Sequence, residues 1–468
     1  MKQTKWIVAL AVTAVVLIAG FIGIDFALKD KENKKNIGGP KTLFSFNGDD
    51  TTRITIDNED GFFQFDWDTT DSTWKLTSED QFQINVYAIS TICNYFCNLS
   101  SEKTVAFDCQ DTSIFGFDHP ITLKLYTKTA GENKPYVLYV GDSTPTYDAY
   151  YAMVEGSNDV YTIDFNSGSV FCLAKDTMKN IYLFDTYSSL VTYLRLERDG
   201  KTIMELQTDD ENRWNLVQPA GFSLDNTVVL TMLDTLVRAE YTGFLEENPS
   251  DLSQYGLDKP KAKLWVKGFQ RSSETSEEFW FGGPVSENAN ETDIYGYSVN
   301  AKQVFKIHKN DVYYINEGPE NYILPNVVDY DIVNVDKVHI DLGEIYDLHS
   351  TLDVNYADNA VIFQLDDKAL SSESSDIQTL YDNFYRALAN VKFSELELDA
   401  DPEGDAAMTF QFDMTDGTKH VLEYIPKEEN NFYAMLDGKY TGMTVRLNRF
   451  TGGTGVSKVY EALIAGLQ

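Results

Sequence analysis

The sequence predicts an α+β fold: tandem repeats of a small module with a β-hairpin, one helix and an antiparallel sheet, following an N-terminal transmembrane helix. Three observations predict it. A motif occurs twice at one spacing, the apolar period around each copy switches from strand to helix, and an uncharged run opens the chain. Asp111-Thr-Ser113-Ile-Phe115-Gly116-Phe117-Asp118-His119-Pro120 returns as Asp251-Leu-Ser253-Gln-Tyr255-Gly256-Leu257-Asp258-Lys259-Pro260, and each proline falls 46 residues after a tryptophan, Trp74 or Trp214. A fixed period of this kind marks a duplicated unit. Residues kept in both copies are expected to hold up the unit, since catalytic residues rarely need two copies.

At 468 residues the chain exceeds a single core and divides into an anchor and linker over 1–40 and repeat units over 41–185, 186–330 and 331–468. Trp6 to Ile24 carry no charge, and these 19 residues reach roughly 28 Å as a helix, close to the thickness of a bilayer core. Lysines flank the run on both sides, so charge alone leaves its orientation open. The short segment before it resembles an export signal, and no small-x-small site ends it. The run therefore reads as an uncleaved single-pass anchor with the bulk of the chain extracytoplasmic, a cleaved signal peptide being the alternative. The net charge of −35, from 73 acidic and 38 basic residues, argues against nucleic acid and against docking on anionic lipid. Four cysteines are no disulfide framework. Cys93 and Cys97 align with Leu233 and Val237 and read as buried thiols on one helix face, while Cys109 and Cys172 remain open to pairing in an oxidising compartment.

In unit 2, Tyr193 to Glu197 and Ile203 to Gln207 alternate around Asp199-Gly200, a hairpin signal, and Trp214-Asn-Leu216 opens a third strand. Asp225 stands at a helix N-cap, with Val228, Val229, Met232, Leu233, Leu236 and Val237 at helical spacing. Unit 1 repeats this with Ile54, Ile56, Phe63 and Phe65 around Asp60-Gly61, then Trp74, a cap at Asn85, and Ile89, Ile92, Cys93, Phe96 and Cys97. Strands follow each motif, the last opening with Tyr151-Ala-Met153 or Tyr297-Ser-Val299. Tyr433-Ala-Met435 exposes a degenerate third unit that lacks the tryptophan and the Gly-x-Asp-x-Pro turn, as a capping repeat would.

The shared motif residues Trp74, Gly116, Asp118, Pro120, Trp214, Gly256, Asp258 and Pro260 read as structural. Gly116 and Gly256 are expected at positive φ, Asp118 and Asp258 as turn-making acids that accept backbone N–H bonds, and the prolines as turn ends. The functional alternative is acid/base or cation-holding work by Asp111 with Asp118 and their counterparts. Asp399 to Gly404 imitate a calcium loop, but Phe410 stands where its glutamate belongs. The five histidines share no metal spacing, and no metalloprotease, P-loop or nucleophile-elbow motif occurs. Gly452-Gly453-Thr-Gly455 reads as a flexible turn before the last helix; neither a Walker motif nor a strand is expected before it, so phosphate binding is not expected there. Tyr147, Tyr150 and Tyr151 read as sheet packing, with a sugar platform as the alternative. No catalytic, cofactor or metal residue is expected.

With Trp214-Asn-Leu216, a capped helix and Tyr255-Gly-Leu257-Asp258-Lys-Pro260 in that order, the chain resembles a bacterial family known only as a domain of unknown function, DUF4340, over residues of about 45 to 310. The resemblance implies a membrane-anchored extracytoplasmic protein, encoded beside ABC exporters related to the gliding-motility Gld system, with an accessory role in export or envelope assembly. It implies no catalytic residues. The expected function is a non-catalytic extracytoplasmic accessory or scaffold subunit, partnered by a membrane protein such as an ABC permease. A binding module for envelope polysaccharide or peptide, and an unrecognised hydrolase, are the alternatives.

Overall fold

The computed structural model describes residues 38–467 apart from 81, 132–133, 271–272, 287–291, 358–359, 367, 370–374 and 429. Period-2 alternation of apolar and polar residues dominates this chain, and it is spent on three antiparallel sheets. The first comprises β1 (Thr51–Asn58), β2 (Gly61–Asp68), β3 (Thr73–Leu76), β4 (Lys103–Ala106), β5 (Ile121–Thr127), β6 (Tyr136–Ser143), β7 (Ala149–Val154) and β8 (Val160–Asp164). The second comprises β9 (Val191–Arg198), β10 (Lys201–Thr208), β11 (Trp214–Gln218), β12 (Tyr241–Glu247), β13 (Ala262–Gln270), β14 (Ser273–Pro284), β15 (Asp293–Ser298) and β16 (Gln303–His308). The third comprises β17 (Val335–Asp341), β18 (His349–Ala357), β19 (Ala360–Leu365), β20 (Lys368–Ala369), β21 (Glu395–Leu396), β22 (Met408–Met414), β23 (Lys419–Lys427), β24 (Asn431–Leu436) and β25 (Lys439–Arg446).

The strand orders are β3-β2-β1-β5-β6-β7-β8-β4, β11-β10-β9-β13-β14-β15-β16-β12 and β20-β19-β18-β17-β22-β23-β24-β25-β21. The second is the first repeated. The third is the same order with β20 added at one edge, so the unit without the motif keeps the whole topology. One helix per unit joins the opposite edge strands: α1 (Val86–Cys97), α2 (Asn226–Arg238) and α3 (Ser375–Ala389). A last helix, α4 (Val456–Gly466), follows β25. The repeats are thus mostly β, more so than the expected α+β modules, because each sheet takes eight or nine strands against one crossing helix and a few short ones. By compactness the chain divides into two units, Met1–Leu194 with Leu233–Ile315 and Arg195–Met232 with Asn316–Gln468.

In the first sheet Ile54 faces Phe65 and Leu125 across its two neighbours, and Ile56 faces Phe63 and Leu123. These side chains are fully buried on one face, with Ile89, Ile92, Cys93, Phe96 and Cys97 of α1 packed in the same cluster. Each large side chain so buried contributes about 1.5–3 kcal/mol. The caps stand where the sequence places them. The Asn85 carboxamide accepts from Ala88 N at 3.1 Å, and Asp225 accepts from Thr227 N at 3.0 Å. Among the described residues no helix is long and apolar enough to cross a membrane; the run from 6 to 24 lies outside them.

Two expectations need correction. The turn acids are Asp111 and Asp251, each bonding the backbone N–H of the serine two residues on, at 3.2 and 2.8 Å. Asp118 and Asp258 are exposed and accept no such bond among the described residues. An acid at the start of a turn is two residues from the N–H it must reach, a place that Asp111 and Asp251 hold. The second correction concerns a tyrosine. Phe115 meets Tyr151 edge-on with ring centres 4.9 Å apart, and Tyr255 meets Tyr295 at 5.3 Å. Tyr295, rather than Tyr297, is therefore the counterpart of Tyr151, since a two-residue slip keeps the face and changes the position.

Gly116 and Gly256 do take left-handed backbone, with φ of 82° and 65°. A Cβ on Gly116 would also stand 2.5 Å from the Asp142 backbone nitrogen, whereas one on Gly256 meets open space. Gly116→Ala should therefore cost several kcal/mol and Gly256→Ala only about 1 kcal/mol, compared by denaturant unfolding of the two variants. Equal losses would remove the packing role of the first glycine.

All four cysteines are unpaired, with Cys93 and Cys97 buried and their sulfurs 3.9 Å apart. The hydrogen bond shared with Cys93 and burial raise the Cys97 thiol. Thiol labelling of the native protein should be slow at both positions; rapid modification would show that α1 leaves its sheet.

Candidate functional site

Comparison of the two linkers between repeats separates what the fold requires from what it does not. After β8 come two short helices, Phe165–Phe171 and Lys175–Met178, and from Lys179 the linker is extended. Asn180 N bonds Gln83 O, Tyr241 N bonds Ile181 O, and Ile84 bridges Lys179 while Tyr182 bridges Glu240. The next linker repeats the pattern, with Leu224 bridging Ile323 and Asn326 bridging Lys392. Backbone geometry is the same, but the residues differ. Ile323 and Leu324 follow apolar logic, whereas Lys179 and Asn180 place polar groups in the same buried setting.

Lys179 is only 4% exposed at its side chain and is neutralised by Glu247 at 2.6 Å and Asp176 at 2.8 Å. Its ammonium also lies 4.6 Å from the centre of the Phe244 ring. Lys175 reaches the same Glu247 at 2.7 Å and Asp80 at 2.8 Å. Burial would raise Glu247, but the hydrogen bonds from both lysines outweigh it and hold the carboxyl below its ordinary range. Removing one member of such a set leaves a buried charge, at a cost of about 3–5 kcal/mol.

Next to this cluster Glu277 of β14 is 6% exposed. Gln83 Nε2 donates to its Oε1 at 2.6 Å, while Oε2 is buried without a partner. Burial pushes this carboxyl up to about 7, against the opposing amides of Asn300 and Gln83. The same burial, with the Glu277 charge beside it, raises the Tyr241 phenol.

Gln83 and Asn180 open into a cleft of about 850 Å³. Trp74 forms one side with Asp71 and Lys75, Tyr182 and Tyr187 another, and Ser273 to Thr275 of β14 a third. Tyr187 is 77% exposed and Tyr182 38%, and Ser273 Oγ donates to Asp71 at 2.9 Å. Aromatic faces beside amides and carboxylates suit a ligand rich in hydroxyl or amino groups. The free oxygen of Glu277 has no surface that a substrate could touch.

Of the predicted motif residues, only Trp74 lines the cleft. The turn residues Gly116, Asp118, Pro120, Gly256, Asp258 and Pro260 stand elsewhere in their units, and Trp214 occupies in β11 the place of Trp74 in β3. The structure does not bring Asp111 and Asp118 together as an acid pair through any shared hydrogen bond. Among the described residues no group of three or more His, Cys, Asp or Glu side chains could hold a metal. Sequence reasoning missed Lys179, Glu277 and Gln83. The signal it could have used is a lysine and an asparagine interrupting the apolar stretch from Met178 to Phe184.

Fold and site together define a chain of β-sheet repeats, each spanned by one helix, whose first linker carries a buried polar cluster beside an aromatic cleft. The chain belongs to the DUF4340 family, a domain of unknown function, which matches residues 74–245 and again 214–411. The two matches open on Trp74 and Trp214, so the family unit starts at β3 or β11 and runs past the next repeat's first hairpin. No curated protein and no solved structure matches the chain.

Glu277→Gln tests the buried carboxyl. Between about pH 4.5 and 7 the unfolded chain releases a proton that the folded carboxyl keeps. Glu277 therefore lowers stability as pH rises through that window, and its effect is level above it. The variant should gain about 1–3 kcal/mol at neutral pH and lose that slope, measured by unfolding across the window. An unchanged slope would place the proton elsewhere.

Proposed function

We propose that this chain is a non-catalytic extracytoplasmic accessory or scaffold subunit of a membrane complex, of the ABC-exporter type or of envelope assembly. Residues 6 to 24 hold it in the cell membrane as a single pass, with an ABC permease as the fitting partner. The observation that carries this reading is where the duplicated residues are used. Gly116 and Gly256 set left-handed turns, the carbonyls of Phe115 and Tyr255 crowd the strand glycines Gly141 and Gly282, and Asp111 and Asp251 bond the turn backbone. What this family unit repeats is architecture, which suits a protein that offers surfaces.

The cleft beside Trp74 favours a second reading, a binding module for envelope polysaccharide or peptide. Its exposed tyrosines and its amides are the parts such a ligand requires. A hydrolase fits less well, because the one raised carboxyl there lies sealed.

Purification of the full chain from native membranes in mild detergent should bring down a permease or ATPase in stoichiometric amount; isolation of the chain alone would refute the accessory reading. Protease added outside the membrane should degrade the region beyond about residue 40 while a cytoplasmic marker survives, and full protection would refute the topology. Turnover of an envelope glycan or peptide that Asp118→Asn or Asp258→Asn abolishes would overturn the non-catalytic reading.

A further inference from the structure

We infer that a pocket in the third repeat binds a phosphate ester, held through the charge of its phosphate groups. The pocket, of about 710 Å³, lies between α3, the short helix Asn448–Thr451 and α4. Arg386, Lys392, Arg449 and Lys458 line it, and no aspartate or glutamate is among its lining residues. In a chain with 73 acidic and 38 basic residues, four cations around one concavity without an acid are a marked segregation. Like charges gathered in this way repel one another, and acids interspersed among them are the ordinary relief.

Two further features point to an anion. The side chains of Arg386, Lys392 and Arg449 form no hydrogen bond or ion pair with the described residues, leaving their donors available. Lys458 alone has a partner, Glu461 at 2.8 Å, and both are about half exposed. Asn383, Asn390 and Asn448 add amide donors, the first two in one face with Arg386 and Ala387 at helical spacing. The glycine loop forms the floor. Gly452 is fixed by the Asn448 carbonyl, which a Cβ would meet at 2.5 Å, and Gly453 has nothing within 4 Å, so the loop lies bare.

The ligand class follows from charge and size. A carboxylate brings one negative charge and a phosphomonoester nearly two, so three unpaired cations, with Lys458 shared by Glu461, match a diphosphate or two phosphate groups. Arginine forks suit phosphate oxygens two at a time. The volume exceeds that of a bare diphosphate and leaves room for the group esterified to it. A soluble sugar phosphate and a lipid headgroup share this chemistry.

The test uses the full chain in mild detergent, titrated calorimetrically with inorganic pyrophosphate and with orthophosphate. Pyrophosphate should bind more tightly than orthophosphate, and Arg386→Gln or Arg449→Gln should each weaken it about tenfold or more. Both residues are exposed, and unchanged circular dichroism of the variants would confirm their folding. Absence of pyrophosphate binding at millimolar concentration, or equal binding by the double variant, would overturn the inference. Displacement of pyrophosphate by fructose 1,6-bisphosphate identifies a soluble ester and supports it, and displacement by short-chain phosphatidylinositol 4-phosphate identifies a headgroup and supports it. Displacement by neither overturns the ester assignment. None of these outcomes depends on whether the chain is an accessory subunit.

Discussion

The crossing helix constrains everything else in each repeat. The chain leaves a sheet at one edge strand, β3, and re-enters at the opposite edge, β4. Eight strands spaced about 4.8 Å apart span roughly 34 Å, while the twelve residues of α1 cover about 18 Å. Extended connectors must supply the difference, and the helix must lie on the sheet face. One face is thereby fixed as core. The alternation of Ile54, Ile56, Phe63, Phe65, Leu123 and Leu125 follows from that requirement, and so do Asn85 and Asp225, which start the helices where the connectors end.

The same constraint explains the linkers. Because the helix begins near its sheet's edge, the segment before it offers free backbone groups, and the linker to the next repeat pairs with them on one side and with the next edge strand on the other. A joint built from backbone bonds tolerates any side chain that its burial permits. At the second joint burial selects Ile323 and Leu324. At the first it is offset by a network in which Lys179 needs Glu247, Asp176 and Gln303. Apolar residues would serve this place at least as well. The polar set is therefore not dictated by the fold, as the duplicated glycines are.

Much of the fold was legible. Duplication, the hairpins, the caps and the glycine conformations could all be read because each depends on neighbours in sequence. The Asp199-Gly200 turn, with φ of 50° and 72° at its two residues, is such a case. The strand content was underestimated because short edge strands such as β4 and β12 carry little alternation of their own and exist only through their pairing with β8 and β16. The candidate site was hardly legible at all. Glu277 stands in a strand whose alternation looks ordinary, and its partner Gln83 lies 194 residues away. Only packing makes its burial visible.

Charge shows the limit of composition most clearly. A net value of −35 describes the field at a distance, where it repels polyanions and solubilises the protein. Within a Debye length of about 8 Å, the nearest side chains decide instead. The third repeat uses this separation of scales: helical spacing on α3 and the glycine loop before α4 bring together Arg386, Arg449 and Lys458, which the sequence scatters over more than seventy positions. A net negative chain repels long polyanions, while such a pocket leaves small ones a place to bind. The exclusion of nucleic acid expected from composition and the proposed local affinity for phosphate are thus compatible in one chain.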